Sequence, residues 1–219
     1  MDAKEMAEGF KKINMLAMKA ISEGDHAKAI GIFQEGLALE EKLGLTNQMA
    51  ESHANIGNAH FLAGEFDEAL SQLTKAQTIF QKAGKTVGVI AVSLNISSIM
   101  ELQGDDAGAQ KQLDSSLRVA RTGEQRGTLL YRIACLQQKS GKHYQAQEFF
   151  GRALMEFERV NRQEDLLECL MARAALFLQL DRRLPAERDI ARAKSIAQGH
   201  ERLTERFLSV ASELGIDSP

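Results

Sequence analysis

The residues of this chain that could catalyse a reaction or bind a metal are its histidines and cysteines, and their spacing fits neither role. Cys135 and Cys169 are single thiols without the close spacing of metal ligands. His53 and His60 lie seven residues apart on one helix face, where we expect core packing. The other histidines are expected at solvated helix starts: His26, His143 and His200. With no Ser/His/Asp order and no phosphate loop, the sequence predicts a non-enzyme without metal or cofactor.

Two asparagines offer binding chemistry instead. Asn55 and Asn95 are 40 residues apart. A primary amide has two donors and an acceptor, so asparagines in a row can hold an extended peptide backbone whatever its side chains are. Alternatively, both amides bond only to local backbone groups or water. The two interpretations stay open. The 40-residue spacing of the two amides follows from a repeat in the sequence, which must also position them.

Three columns of small residues define that repeat. In every column, successive members are 40, 40, 37 and 40 residues apart. The columns are Ala17, Gly57, Ser97, Ala134 and Ala174; Ala29, Ala69, Ala109, Ala146 and Ala186; and Gly36, Ala76, Ser116, Ala153 and Ala193. Small residues are needed where two helix backbones cross closely. Each unit is therefore predicted to be a pair of antiparallel helices that stacks on its neighbours.

Turn residues divide each unit into two helices. Glycine, which enters the left-handed region without a steric penalty, marks the turn inside the first four units, and Asp181 takes its place in the fifth. Exit turns are predicted near Gly44, Gly84, Gly123, Asn161 and Gly199, followed by the N-caps Thr46 and Thr86. The predicted helices span residues 3–22, 25–43, 46–63, 66–83, 86–103, 106–122, 124–140, 143–160, 163–180, 184–198 and 200–214. The last helix has no partner, so we expect it to cap the array.

The run NIGNAHFLAGEFDEAL, residues 55–70, resembles a tetratricopeptide repeat (TPR) almost position for position. The resemblance implies an all-α, right-handed α-solenoid with five repeats in residues 1–198, at about 3–44, 46–84, 86–123, 124–161 and 163–198. A capping helix and short tail follow in residues 199–219. The period is about 40 rather than about 34 residues, and the proline that usually closes a repeat is absent. Both departures are similar to the long-helix subfamily of kinesin light chains and cell-polarity adaptors.

In this family the first helices of successive repeats line a concave groove that binds peptides. The resemblance implies that Asn55 and Asn95 pair with a ligand backbone and that Asn58 is a second ligand-facing asparagine. The other groove residues it implies are Phe61, Leu94, Tyr131, Arg132 and Lys139. The family's carboxylate clamp is missing, because its first basic position is Asn14 and its next asparagine is Met18, which argues against chaperone tails as ligands.

Charge is unevenly distributed along the chain. Residues 1–110 carry 9 Lys against 15 Asp and Glu, residues 111–219 carry 18 Lys and Arg against 15, and every arginine lies at Arg118 or later. This asymmetry is either a drift in surface composition or a sign of an acidic protein partner for the C-terminal half. Interleaved acids argue against nucleic acid. No long apolar run and no signal-like start occur, so we expect no membrane span and a cytoplasmic protein.

Three classes of function are considered, and the least favoured is a regulator that senses a signalling peptide, because that class usually adds a helix-turn-helix or an extra helical domain for which the sequence leaves no length. The leading hypothesis is a non-catalytic adaptor that binds a peptide or helix of an unidentified protein partner in the concave groove. The alternative is a scaffold that forms homo-oligomers through its own repeats. The first unit has no capping helix, and its apolar residues are available to cover a neighbouring copy: Met6, Phe10, Ile13 and Leu16.

Overall fold

Helices account for nearly all of the described chain. The computed structural model describes residues 3–216, with side chains from residue 8 onward. Within this range lie eleven α-helices: α1 (Ala3–Ser22), α2 (His26–Leu43), α3 (Thr46–Leu62), α4 (Phe66–Lys82), α5 (Thr86–Leu102), α6 (Asp106–Val119), α7 (Gly123–Lys139), α8 (His143–Arg159), α9 (Gln163–Gln179), α10 (Arg183–Ala197) and α11 (Glu201–Glu213). The predicted all-α class, five helix pairs and a terminal helix, is confirmed. The Met6 side chain and residues 217–219 of the expected tail lie outside the described residues.

The chain divides into two compact units, and the boundary falls inside α6. Unit 1 is Met1–Gln112 and unit 2 is Leu113–Pro219. In unit 1, Leu73, Ile96 and Ile99 pack in a core formed by α3, α4 and α5. In unit 2, Phe150 and Leu167 belong to a larger core that extends from α7 to α11. Each unit thus has a hydrophobic core of its own.

All members of the three small-residue columns are buried. Gly57 shows why these positions must be small. A Cβ atom added there would lie 2.7 Å from the Leu73 Cγ atom and 3.2 Å from the Ala69 carbonyl oxygen. Both distances are shorter than van der Waals contact, so α3 and α4 cross where only a glycine fits. The inference that the columns mark close helix crossings is supported by this geometry.

Replacing Gly57 by alanine should therefore overpack the crossing and lower the free energy of unfolding by about 1–3 kcal/mol. Gly31 is the matched control, because it also lies inside a helix but an added Cβ there meets no atom within 4 Å. Gly31→Ala should stabilise the protein by about 0.5–1 kcal/mol, since alanine loses less backbone entropy on folding. Urea denaturation of both variants measures the difference. Equal stabilities would show that the crossing tolerates a methyl group.

The turns inside the units follow the sequence closely. Gly24, Gly64, Gly104 and Gly141 all have positive φ, and Asp181 occupies the same region with φ 54°. Four of the predicted exit turns are also left-handed: Gly44, Gly84, Asn161 and Gly199. Polar Asp and Asn tolerate this region better than other residues with a Cβ, which explains why they stand where glycine is missing.

The exit turn predicted near Gly123 lies directly before this residue, because Gly123 is the first residue of α7 and does not itself form the turn. Thr122 precedes it as an N-cap. The Thr122 hydroxyl accepts the Gln125 N–H at 3.2 Å, and the Gln125 side chain accepts the Thr122 N–H at 3.3 Å. This capping box ends the turn without a left-handed residue. Helix α6 has 14 residues where α4 has 17, which accounts for the single spacing of 37 instead of 40.

The predicted N-caps Thr46 and Thr86 are wrong, because both residues lie inside their helices. The capping residues are Leu45 and Lys85, and neither makes a side-chain capping bond. The turn is tighter than the sequence suggested, with the Thr46 N–H donating to the Gly44 carbonyl at 3.0 Å. One residue separates the left-handed glycine from the helix.

Helix α11 caps unit 2, as predicted. It buries one stripe of apolar side chains, Leu203, Phe207 and Ala211. These residues join the core of unit 2, and α11 packs on both α9 and α10. The helix therefore takes the place that the first helix of another repeat would occupy.

One carboxyl group is buried where α2 packs on α3. Glu40 is only 4% exposed, and its Oε1 atom accepts a hydrogen bond from the Ser52 hydroxyl at 3.0 Å. Within residues 8–216, its Oε2 atom has no hydrogen-bond partner. Burial raises the pKa of Glu40, the Ser52 bond opposes this, and the charge of Glu51 adds to it. The ionised form of Glu40 is thus unfavourable in the folded protein.

This burial gives a pH dependence with a defined sign. A raised folded-state pKa means that stability falls as pH rises above the ordinary glutamate pKa of 4.5, until Glu40 is ionised in both states. Glu40→Gln removes the buried charge and should raise the melting temperature at pH 7.5 while changing it little at pH 4.5. Thermal melts at the two pH values test this. The exposed neighbour Glu41 supplies the control Glu41→Gln, and an effect equal to that of Glu40→Gln would contradict the assignment.

Candidate functional site

In unit 1, the predicted binding residues lie on the first helices of the second and third helix pairs. Helix α3 contains Asn55, Asn58 and Phe61, and the neighbouring helix α5 contains Leu94 and Asn95. All five side chains are half-buried, and α3 packs directly on α5. We call this surface of α3 and α5 the first-helix face of unit 1. The structure brings together all the candidate residues that belong to unit 1.

Two of the asparagines bond to each other. The Asn95 Nδ2 atom donates to the Asn58 Oδ1 atom at 2.7 Å, joining α5 to α3. No hydrogen bond to the Asn55 amide is found within residues 8–216. Of the two asparagines that are 40 residues apart, Asn95 is therefore held by a bond within the protein, whereas the amide of the half-buried Asn55 has no such bond among the described residues. Sequence reasoning did not foresee this pairing, because Asn58 and Asn95 occupy different positions in their repeats.

Two leucines on this face were missed by the sequence analysis. Leu62 is 51% exposed and Leu102 is 61% exposed, although both are large apolar residues. They are 40 residues apart at the end of α3 and α5, so they hold equivalent positions in adjacent repeats. This 40-residue spacing could have been used to recognise the two leucines, from the sequence alone, as equivalent residues of adjacent repeats. The centre of the Phe61 ring lies 6.1 Å from the centre of the Phe66 ring, so Phe61 packs against the first residue of α4.

In unit 2, the candidate residues Tyr131, Arg132 and Lys139 lie on α7. The Tyr131 ring packs 6.0 Å from the Phe150 ring, and burial raises the pKa of its hydroxyl, so it stays neutral. Arg132 is half-buried, whereas Lys139 is exposed. A shallow cavity of about 120 Å³ lies beside Tyr131, between α7, α9 and α11. Its other lining residues are Glu168, Met171, Ala172, Ala175, Arg206, Val210 and Leu214.

Many arginines of unit 2 form ion pairs between helices. Three of these pairs join a carboxylate to an arginine 38 residues later: Glu124 with Arg162 at 2.7 Å, Glu164 with Arg202 at 2.9 Å and Glu168 with Arg206 at 2.9 Å. A fourth, Arg126 with Glu156 at 2.8 Å, lowers the pKa of Glu156 to about 2. Stacking of repeats thus gives the basic bias of the C-terminal half a second explanation besides an acidic partner.

Two histidines and one cysteine are engaged within the protein. His53 is buried, and its Nδ1 atom lies 2.8 Å from the Gln72 Oε1 atom, as the expected core role requires. The His60 Nδ1 atom lies 2.6 Å from the Glu65 Oε2 atom. Burial raises the pKa of the Cys169 thiol, which disfavours the reactive thiolate.

The described part of the chain contains neither a metal-binding cluster nor a membrane-spanning helix. Among residues 3–216, no group of three or more His, Cys, Asp or Glu side chains is placed to hold a metal ion. Over the same residues, every helix is too short or too polar to cross a membrane.

The chain belongs to the tetratricopeptide repeat family. The family's pattern matches residues 13–82 and 48–122, which together span half of the sequence. Tetratricopeptide repeats generally mediate protein binding. A secreted RxLR effector protein of Plasmopara halstedii is 32% identical over 114 residues, which are 52% of this chain. The chain spans only 31% of the length of that relative.

Solved structures with the same fold include two instructive cases. A kinesin-light-chain-like protein of Podosopora anserina, with nearly identical TPR-like repeats, aligns with a TM-score of 0.69 and 16% identity, over 88% of this chain and 96% of its own. Aspartyl phosphate phosphatase F of Bacillus subtilis aligns with a TM-score of 0.79 and 14% identity, over 91% of this chain but 54% of its own. At these identities the likeness shows the fold, and the predicted resemblance to kinesin light chains is confirmed.

The asparagine pair makes a direct prediction about stability. Asn58→Ala removes the acceptor of the Asn95 amide and should lower the free energy of unfolding by about 0.5–1.5 kcal/mol. Asn55→Ala, on the same face without a protein partner, should change it by less than about 0.5 kcal/mol. Urea denaturation curves of the two variants measure this. Equal losses would show that the Asn58–Asn95 bond contributes nothing specific.

Proposed function

We propose that this protein is a non-catalytic adaptor that binds a peptide or an amphipathic helix of a partner protein. The observation that carries the proposal is the first-helix face of unit 1, where three asparagine amides adjoin two exposed leucines. The amides supply donors and acceptors for a backbone, and the leucines supply apolar contact for side chains. Burying one such leucine contributes about 1.5–3 kcal/mol, enough to anchor a short segment.

Preorganisation supports this choice of face. The Asn58–Asn95 bond fixes two amides before a ligand arrives, so less side-chain entropy is lost on binding. Asn55 then provides the amide with unused hydrogen-bonding capacity. Leu62 and Leu102 are repeated at equivalent positions in two units, which suits a ligand that contacts both helices.

The adaptor role is favoured over catalysis by the state of the reactive groups. Among the described residues, His53 and His60 are bonded to neighbouring side chains and the Cys169 thiol is buried. The aspartyl phosphate phosphatase extends well beyond the region shared with this chain, so its activity is not carried over. We retain the cytoplasm as the proposed compartment.

A peptide selection tests the proposal. The full chain is immobilised and screened against a randomised twelve-residue phage library, and the affinity of the selected peptides is measured by fluorescence anisotropy. Asn55→Ala with Asn95→Ala should weaken binding by about tenfold or more, because stranded ligand groups cost about 1–3 kcal/mol each. Leu62→Ser with Leu102→Ser should weaken it as well.

The control is a pair of changes on α4, the second helix of the same hairpin. Thr74→Ala with Lys75→Ala alters exposed residues away from the first-helix face and should leave affinity unchanged. Circular dichroism verifies that each variant keeps its helices. If the face variants bound as tightly as wild type while the α4 variant did not, the binding site would be on the second helices.

An acidic ligand would favour unit 2, where α7 carries Arg132 and Lys139. Reversing both to Glu should weaken acidic peptides more at low salt than at high salt, because mobile ions screen exposed charges. Peptides without acidic residues supply the comparison in the same experiment.

Self-assembly is the second candidate function, and α1 favours it. Met15 is 64% exposed, Leu16 is 42% exposed and Met18 is 57% exposed, which leaves apolar surface on the first helix. Ile13 does not contribute in the same way, because it packs against Gly36 of α2. Light scattering discriminates the two functions. A wild-type oligomer that dissociates on Met15→Lys with Met18→Lys would favour the scaffold.

A further inference from the structure

A second candidate site lies in unit 2 at the turns inside the fourth and fifth helix pairs. A cavity of about 390 Å³ opens there between the start of α8 and the turn before α10. Its walls include Lys142, His143, Tyr144, Gln147, Leu180 and Arg182. We call it the turn cavity. It is large enough for a carboxylate and part of the side chain that carries it.

Positive charge converges on this cavity. The Arg182 guanidinium is held in place, because its Nη1 atom donates to the Gln147 Oε1 atom at 2.8 Å and its Cζ atom lies 5.0 Å from the centre of the Phe177 ring. Lys142 lines the cavity on the α8 side. The cavity therefore presents two positively charged side chains to a bound anion.

His143 adds a buried polar atom that lacks a partner. Within residues 8–216, its Nδ1 atom is shielded from solvent and makes no hydrogen bond. The sequence analysis expected this histidine to be solvated at a helix start, but the residue is half-buried. Because His143 also lines the cavity, an anion bound there would lie close to this unpartnered ring nitrogen.

The charge at this turn is opposite to that in the preceding repeats. The residue before the second helix is Asp25, Glu65 and Asp105 in the first three units, whereas it is Lys142 and Arg182 in the last two. Asp25 accepts a backbone N–H of its own helix at 3.1 Å, but Lys142 makes no such bond at α8. The cavity thus lacks the carboxylate that the chain itself supplies elsewhere.

Exposed apolar residues flank the cations. Tyr144 is 88% exposed at the cavity, and Leu184 is 70% exposed on an adjoining cavity that shares Arg182. A free ion would not use these side chains, whereas a peptide with an acidic and an apolar residue would. We propose that the turn cavity binds a carboxylate of an acidic peptide segment, separately from the first-helix face.

A fluorescein-labelled peptide with four glutamates around a central leucine tests this proposal, beside its counterpart with four glutamines. Anisotropy titrations of the full chain at low ionic strength should show the glutamate peptide binding at least about tenfold more tightly. Lys142→Asp should weaken that binding by about tenfold or more, because it places a carboxylate where the ligand would bind. The same change caps α8 and should keep or raise the melting temperature, so lost binding would not reflect unfolding.

Two variants are matched controls. Lys85→Asp makes the same change at the N-cap of α5, where no side-chain capping bond exists, and Arg202→Gln removes a charge from an 84% exposed side chain on α11, outside both cavities. Both should bind the glutamate peptide within about twofold of wild type. Binding should also shift the ¹⁵N resonance of His143 Nδ1, assigned with His143→Asn.

Several outcomes would overturn the proposal. Binding of neither peptide by wild type, or equal binding of both, would exclude the carboxylate as the ligand. If Lys85→Asp lost as much affinity for the glutamate peptide as Lys142→Asp, the loss would be explained by the change in net charge alone. Inorganic phosphate and acetate are also compared as competitors of the peptide at matched ionic strength. If phosphate displaces the peptide at a far lower concentration than acetate does, the cavity would be assigned to phosphate instead.

Discussion

The close crossing of the two helices in each pair is the constraint on which the rest of the structure depends. Where Gly57 of α3 meets Leu73 and Ala69 of α4, no Cβ atom fits. Such a contact brings the backbones near enough for side chains of both helices to exclude water along the pair. The crossing point sets which residues of each helix face inward, and therefore which residues remain on the first-helix face and at the turns.

Both units share this packing, but the polar interactions between successive helix pairs differ from one unit to the other. In unit 1 the bonds include pairs of neutral groups, such as Asn95 with Asn58 and Gln77 with Ser93 at 2.8 Å. In unit 2 they are arginine–carboxylate pairs such as Arg206 with Glu168. Exposed pairs of this kind contribute little individually. Their clearer consequence is chemical, because unit 1 presents amides and leucines whereas unit 2 presents charges.

Each of the two proposed binding surfaces includes a residue that the packing does not use. Asn55 is half-buried beside the paired amides, and its repeat position is not one of the three small columns. Lys142 sits at a turn whose conformation is set by the preceding Gly141 with φ 72°. Since neither side chain supports the core, changes at these positions alter chemistry without altering the fold, which is how one repeat can serve different ligands.

The sequence by itself determined the helix pairs, because the small columns and left-handed turn residues are local requirements that recur with the period. It did not show that a capping box formed by Thr122 and Gln125, rather than a left-handed glycine, ends the turn before Gly123. Only the tertiary structure decided that Asn95 bonds to Asn58, that Leu62 and Leu102 are exposed, and that Lys142, His143 and Arg182 share a cavity. These features join residues about 37–40 positions apart, and their geometry depends on how one helix pair packs on the next.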